Sequence, residues 1–372
     1  MLQIVRLTLR EIKLPLKEPF QISSGTMSAR RIILVELEDA SGATSWGECV
    51  ADDAPNYLPD VVDSCWPMLV RWVAPRILGR RFGAPGEVHA QLEDGFRGHN
   101  MAKAAVEMGM WGVEAERLGI PLARLIGGTR EYVDVGISLG IQATPEALVE
   151  KVRGALAQGY RKVKIKIGRG KDVDFVRAAR QAFPDAPLMA DANNAYTLDD
   201  IDTFVAMDDL GLMMFEQPLA WDDIVRHAEL QKHLKTPICL DESITNLERA
   251  QDMVTLGSGR IINIKPGRVG GFSSSIAIHD FCESNGIPVW CGGMLESGIG
   301  RAYNIALASL PNFRKPGDIS PSARYWARDI ITPEWTMGAD GTTRVPLDRP
   351  GLGVTVDRDR IDDLTVRVES LS

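Results

Sequence analysis

The chain has 372 residues, 45% of them hydrophobic and 25% charged, with a formal net charge of −8. That length suits two domains or one barrel with a sizeable addition, and the acidic balance without a basic tract argues against nucleic-acid binding. Five scattered cysteines with no CxxC spacing read as reduced thiols, and no run resembles a signal peptide or membrane span, so a soluble cytoplasmic protein is expected.

Residues 2–14 alternate apolar and polar positions (Leu2, Ile4, Leu7, Leu9, Ile12) and predict a strand. A stretch rich in Pro, Ser and Gly follows, and residues 15–27 are expected to form a long lid loop with Phe20 closing on a ligand. Strands are predicted at Ile32 to Glu38 and Thr44 to Val50, around a turn at Asp39–Gly42. Residues 60–117 are helical in pattern. Ala105, Met108, Trp111 and Ala115 share one apolar face, and Gly119 and Pro121 end the helix. Residues 1–130 therefore read as an α+β domain. From 131 to 316 strands alternate with helices, and the Pro/Gly-rich tail, 317–372, is expected to return to the first domain.

The alternating part has a period. Lys166, Asp191, Glu216, Asp241 and Lys265 end the apolar runs KVKIKI, PLMADAN, LMMFEQP, PICLDES and RIINIKP, at spacings of 25, 25, 25 and 24 residues. A strand–helix unit of that length suits a (β/α) barrel of the TIM type, whose catalytic groups gather at the C-terminal ends of the strands. An earlier strand ends near Ser138, a later one at Cys291 to Met294, and the final strand is poorly marked. Strand parity puts Lys162, Lys164 and Lys166 on one face, with Lys166 nearest the mouth. The same parity aims Asp191 with Asn193, and Asn263 with Lys265, into the barrel.

Three converging carboxylates repel one another unless a cation lies between them. Oxygen-only ligation by Asp191, Glu216 and Asp241 suits Mg²⁺, with Mn²⁺ also compatible, and the absence of a strand-end histidine argues against zinc. A carboxylate substrate docked there has an acidified α-carbon. A lysine beside the cation and a second lysine should have a lowered pKa and serve as base. Lys166 and Lys265 lie on strands separated by the three acid-bearing ones, so they can face each other across the substrate, as two-base racemisation requires. A Schiff-base aldolase would use one of these lysines but leaves the three acids unexplained. A non-catalytic binding protein would hold the acid without exchanging its α-proton.

These motifs, with the helix AAVEMGMWGVEAERLGIPLARLIGG and the stretches DANNAYT, FEQPLAWDD, NIKPGRVGG and VWCGGMLESGIGRA, resemble the enolase superfamily in its muconate-lactonizing subgroup. The likeness spans nearly the whole chain and is strongest to o-succinylbenzoate synthases and N-acylamino acid racemases. It implies a modified (β/α)₇β barrel under an α+β capping domain built from both termini. It implies that Asp191, Glu216 and Asp241 ligate Mg²⁺, that Lys166 and Lys265 are the bases, and that Lys164 is an auxiliary lysine. Asn193 and Glu242 would orient these groups, and Ser138, Gly293, Met294 and Phe20 would line the substrate pocket. Arg268 resembles a residue of the racemase-competent branch. Gly292-Gly293-Met294 stands where dipeptide epimerases carry an acidic motif near the final strand end, which favours an N-acyl or cyclohexadienyl substrate over an α-ammonium one. The implied settings are menaquinone synthesis for the synthase and amino-acid metabolism for the racemase. The implied partner is a small carboxylate, in a homo-oligomer that needs neither nucleic acid nor membrane.

Overall fold

The computed structural model describes residues 1–22 and 25–372, with side chains described for 1–19 and 27–372. Three antiparallel strands open the chain: β1 (Ile4–Ile22), β2 (Gly25–Asp39) and β3 (Thr44–Cys49). The C-terminal strand, Thr365–Leu371, pairs antiparallel with the free side of β1, so both ends of the chain meet in one four-stranded sheet. Alternation on β2 fills two cores at once. Ile33, Val35 and Leu37 pack on one side with Trp66, Leu69, Val73 and Val106. Ile32 and Leu34 belong to the larger core on the other side, which runs into the barrel. Gly47 lets β3 press onto the helix Asn100–Leu118, since a Cβ there would sit 1.8 Å from the Ala105 carbonyl oxygen. That helix ends at Gly119, in the left-handed region at φ 67°, as its sequence predicts.

The lid is not a loop. β1 and β2 stay paired beyond Pro15, through Phe20↔Met27 to Ile22↔Gly25, as a long hairpin. Pro15 and Pro19 break the alternation that marks a strand, and the register slips between Pro15 and Phe20, where the ribbon bulges. The ribbon docks on the segment that follows the barrel ring through Lys17, whose backbone N–H donates to the Tyr325 carbonyl (2.8 Å) and whose Nζ donates to the Ala323 carbonyl (3.0 Å). The Phe20 side chain, expected to close on a ligand, lies outside the described side chains.

Seven parallel strands follow in chain order around the barrel: β4 (Gly136–Leu139), β5 (Lys162–Lys166), β6 (Leu188–Asp191), β7 (Phe215–Glu216), β8 (Ile238–Leu240), β9 (Ile261–Ile264) and β10 (Val289–Cys291). Residues 312–318 fill the remaining gap. The Val289 N–H donates to the Asn312 carbonyl (3.2 Å) and the Asp318 N–H to the Cys291 carbonyl (2.9 Å). On the other side the Gly136 N–H donates to the Gly317 carbonyl (2.6 Å). The ring thus runs past the boundary expected at 316, to Asp318.

Two buried carboxylates of the first domain join it to the barrel. Glu48, from β3, accepts the backbone N–H groups of Ser297 (3.0 Å) and Gly300 (2.8 Å) at the start of the helix Gly298–Ala308. Glu107 accepts those of Phe272 (2.7 Å) and Ser273 (3.0 Å) at the start of the helix Phe272–Ser284. Each acid satisfies donors that a helix leaves unpaired at its N-terminus. Among the described residues no helix is long and apolar enough to cross a membrane.

Candidate active site

Lys166, Asp191 and Glu216 stand in one row across the C-terminal ends of β5, β6 and β7, each in register with the next. Asp241 follows β8 and Lys265 follows β9. Asp191, Glu216 and Asp241 are at most 1% exposed. One cavity is lined by Lys164, Lys166, Lys265, Ser138, Asn193, Gly293 and Met294, all anticipated from sequence.

Each acid meets at least one buried cation, and Lys164 is shared between Asp191 and Glu216. Lys166 Nζ donates to Asp191 Oδ2 (2.6 Å) and to Asn193 Oδ1. Asn193 Nδ2 in turn donates to Glu242 Oε1 (3.2 Å), so Glu242, fully buried, steadies Asn193. Lys265 Nζ donates to Asp241 Oδ2 (2.8 Å), and Lys164 Nζ lies 3.2 Å from Glu216 Oε2. Burial would raise the Asp191 carboxyl, but Lys166 and then Lys164 hold it below the usual carboxylate range. Burial likewise opposes charge on Asp241, and Lys265 and Arg268 outweigh it. Glu216 goes the other way, pushed up to about 8 by burial and by Asp191. At Lys265 the surrounding side chains favour the ammonium. Its burial is overcome by Asp241 and Tyr57, and its pKa is raised.

The acids suit a divalent cation. Their donors are all carboxylate oxygens, and Glu216 Oε2 and Glu242 Oε2 are buried without a hydrogen bond. Among the described residues the triplet with ligand atoms within 4.8 Å of one another is His279, Asp280 and Glu283. None of these lines the cavity, and His279 is committed on both nitrogens, to the Asn312 N–H (2.9 Å) and to Asp280 Oδ1 (2.7 Å).

Arg268 is not in the pocket wall. It is fully buried behind Asp241, donating to Asp241 Oδ1, to the Asn263 carbonyl and to the Ile244 carbonyl (2.7 Å). A guanidinium with that many internal acceptors is a support for Asp241 rather than a substrate contact. Gly292-Gly293-Met294, expected near the final strand end, does not lie at it. The strand ending at Gly292-Gly293-Met294 is the seventh, and the eighth position carries Asp318, ion-paired to Lys162 (3.0 Å) and Lys164 (2.6 Å).

The sequence reading missed Tyr57, Asp318, Met27, Asp52, Leu295 and Tyr325, which also line the cavity. The Tyr57 hydroxyl donates to Asp241 Oδ1 (3.0 Å) and accepts from Lys265 Nζ (3.0 Å). An aromatic set among Pro, Asp and Asn in an aperiodic stretch, DDAPNYLPD, was the available signal.

A capped parallel barrel with three acids and two lysines at its mouth is the architecture of the enolase superfamily. Residues 4–127 match the family described as mandelate racemase / muconate lactonizing enzyme, N-terminal domain, and residues 147–360 match the enolase C-terminal domain-like family. The chain belongs to this family and is an enzyme. It is 50% identical over 357 residues to an o-succinylbenzoate synthase of Geobacillus kaustophilus, covering 96% of this chain and 94% of that one. It is 45% identical over 346 residues to an N-succinylamino acid racemase of Thermus thermophilus, covering 93% of each. A solved enolase-superfamily structure from Listeria innocua superposes with a TM-score of 0.96 at 40% identity, covering 100% of this chain and 99% of that one.

Proposed function

We infer that the enzyme racemises N-succinyl or other N-acyl amino acids and, in the same pocket, dehydrates the cyclohexadienyl precursor to o-succinylbenzoate. The observation that carries this reading is the entry of Lys166 and Lys265 into one cavity from β5 and from the end of β9, with the acid-bearing strands between them. Relatives bearing both names, at 50% and 45% identity, support it.

Asp191, Glu216 and Asp241 would hold Mg²⁺, which when bound supplies positive charge to the substrate carboxylate as the α-carbon loses its proton. Lys166, in its neutral form, takes that proton on one face, and the C–H pair moves into the enediolate. Lys265, as an ammonium, returns a proton to the other face, and the reverse passage completes racemisation. In the dehydration the proton taken by Lys166 goes to the departing hydroxyl, the C–O bond breaks and the ring becomes aromatic. Asn193 fixes the Lys166 amine, and Glu242 fixes Asn193.

A dedicated synthase is the second reading, because Lys265 Nζ donates to Asp241 Oδ2 at 2.8 Å, and an ammonium held there would serve as a cation rather than a base. The two separate in D₂O with Mg²⁺, given N-succinyl-L-phenylalanine and the synthase precursor in parallel. Racemisation with deuterium in both enantiomers, beside aromatic product, is expected. Aromatic product without racemisation selects the dedicated synthase. No exchange with either compound rules out both substrates.

A further inference from the structure

Lys164 presents an electrostatic problem that the site must solve. Its ammonium lies 3.3 Å from Asp191 Oδ2 and 3.2 Å from Glu216 Oε2, so it competes for the two acids that a divalent cation would need. Lys166 already takes Asp191 Oδ2 at 2.6 Å. Two lysines on two carboxylates would leave little net charge to attract a cation. The counterweight is Asp318. Its Oδ2 lies 2.6 Å from Lys164 Nζ, well inside the other two contacts.

Asp318 is itself held from several sides. Its second oxygen meets Lys162 Nζ at 3.0 Å, and that ammonium lies 3.4 Å from the centroid of the Trp290 ring. Its backbone N–H donates to the Cys291 carbonyl (2.9 Å), and its carbonyl accepts from Arg301 Nη1 (2.6 Å). Arg301 is fixed by Glu296 at 3.1 Å, and both are buried. The segment also packs so closely on the pocket wall that a Cβ on Gly293 would sit 2.8 Å from the Asp318 carbonyl oxygen. A buried acid so constrained cannot follow Lys164 toward Asp191 and Glu216; Lys164 must come to it.

We propose that Asp318 is a positioning residue that takes the shortest contact with the Lys164 ammonium, weakens its hold on Asp191 and Glu216, and so leaves those two acids more negative for a divalent cation. The proposal rests on the reading above only in taking Asp191 and Glu216 as cation ligands. It requires that the effect of Asp318 run through Lys164, which a double-mutant cycle isolates.

The experiment is calorimetric titration of Mg²⁺ into the metal-free full-length protein, its D318N and K164A variants, and the double variant. D318N should weaken Mg²⁺ binding by about tenfold, at the lower end of what partners behind a metal ligand contribute. In the K164A background the same change should move the affinity by less than about twofold. D318E, which keeps the charge, should recover part of the loss. If D318N does not fold, because Lys162 is left buried without its anion, K162M/D318N removes both charges and carries the same comparison. An unchanged affinity in D318N, or an equal loss with and without Lys164, overturns the proposal. So does a wild-type protein that binds no Mg²⁺. Wild-type protein that binds Mg²⁺ and shows the cycle, yet exchanges no α-proton, leaves the proposal standing and sinks the substrate reading alone.

Discussion

Lys166 and Lys265 face one cavity with different companions. Lys166 meets Asp191 and the Asn193 amide oxygen, whereas Lys265 meets Asp241 and the Tyr57 hydroxyl. If both act as bases, each serves one face of the α-carbon. K265M should then lose racemisation by roughly 10²- to 10⁴-fold yet still wash deuterium, with retention, into the enantiomer whose proton faces Lys166. K166M should do the same for the other enantiomer. NMR of each enantiomer in D₂O reads this directly, and loss of exchange from both in K265M would make Lys265 a cation only. Arg268 invites a stability test instead. Its fully buried guanidinium pairs with Asp241, so R268M leaves Lys265 and Tyr57 as that acid's remaining donors. Breaking a buried pair from one side costs about 3–5 kcal/mol. A urea midpoint for R268M equal to that of wild type would refute the burial argument.

At the scale of elements, Glu48 ties β3 to the helix Gly298–Ala308, directly after the pocket residues Gly293, Met294 and Leu295. Burial pushes its pKa up to about 7, against the hydrogen bonds from Ser297 and Gly300. A carboxyl with a higher pKa folded than unfolded contributes stability below its unfolded value, and loses that contribution as pH rises through the folded one. From pH ~4.5 to ~7.5 wild type should therefore lose roughly 3 kcal/mol relative to E48Q, which cannot ionise. Urea midpoints of the two proteins across that range test the slope, and parallel curves would contradict it. Elements also show where sequence patterning is informative. The runs ending at Lys166, Asp191, Glu216, Asp241 and Lys265 were legible because an inward charge after buried apolar residues is rare and here recurs at one period. The closing segment 312–318 was not, because Pro316 and Gly317 interrupt any alternation and its hydrogen bonds go to two neighbours that sequence cannot identify. Asp318 was hidden with it. The hairpin was misread as a loop for a related reason, since Pro15 and Pro19 erase the strand signal that cross-strand pairing restores.

In the whole molecule neither part builds the site alone. The barrel supplies the lysines and acids, while Met27, Asp52 and Tyr57 of the first domain complete the cavity. The strand Thr365–Leu371 locks that domain by pairing with β1, and Glu48 and Glu107 dock it on two barrel helices. The acids at the mouth belong to strands far apart in the chain, so an unfolded chain cannot bring them together. A cation held by them must then stabilise the fold by mass action, by about 2.7 kcal/mol at a free concentration 100 times its dissociation constant. For a chain of this size that is several degrees of melting temperature. Removing metal with EDTA should abolish α-proton exchange and lower the melting temperature, and Mg²⁺ should restore both. E216Q should lose the thermal response along with activity, because Glu216 is the acid with no lysine closer than 3.2 Å and so depends most on an added cation. Identical melting with and without Mg²⁺ in wild type would mean that the three carboxylates are balanced by their lysines and arginine alone, and the catalytic reading would have to proceed without a metal.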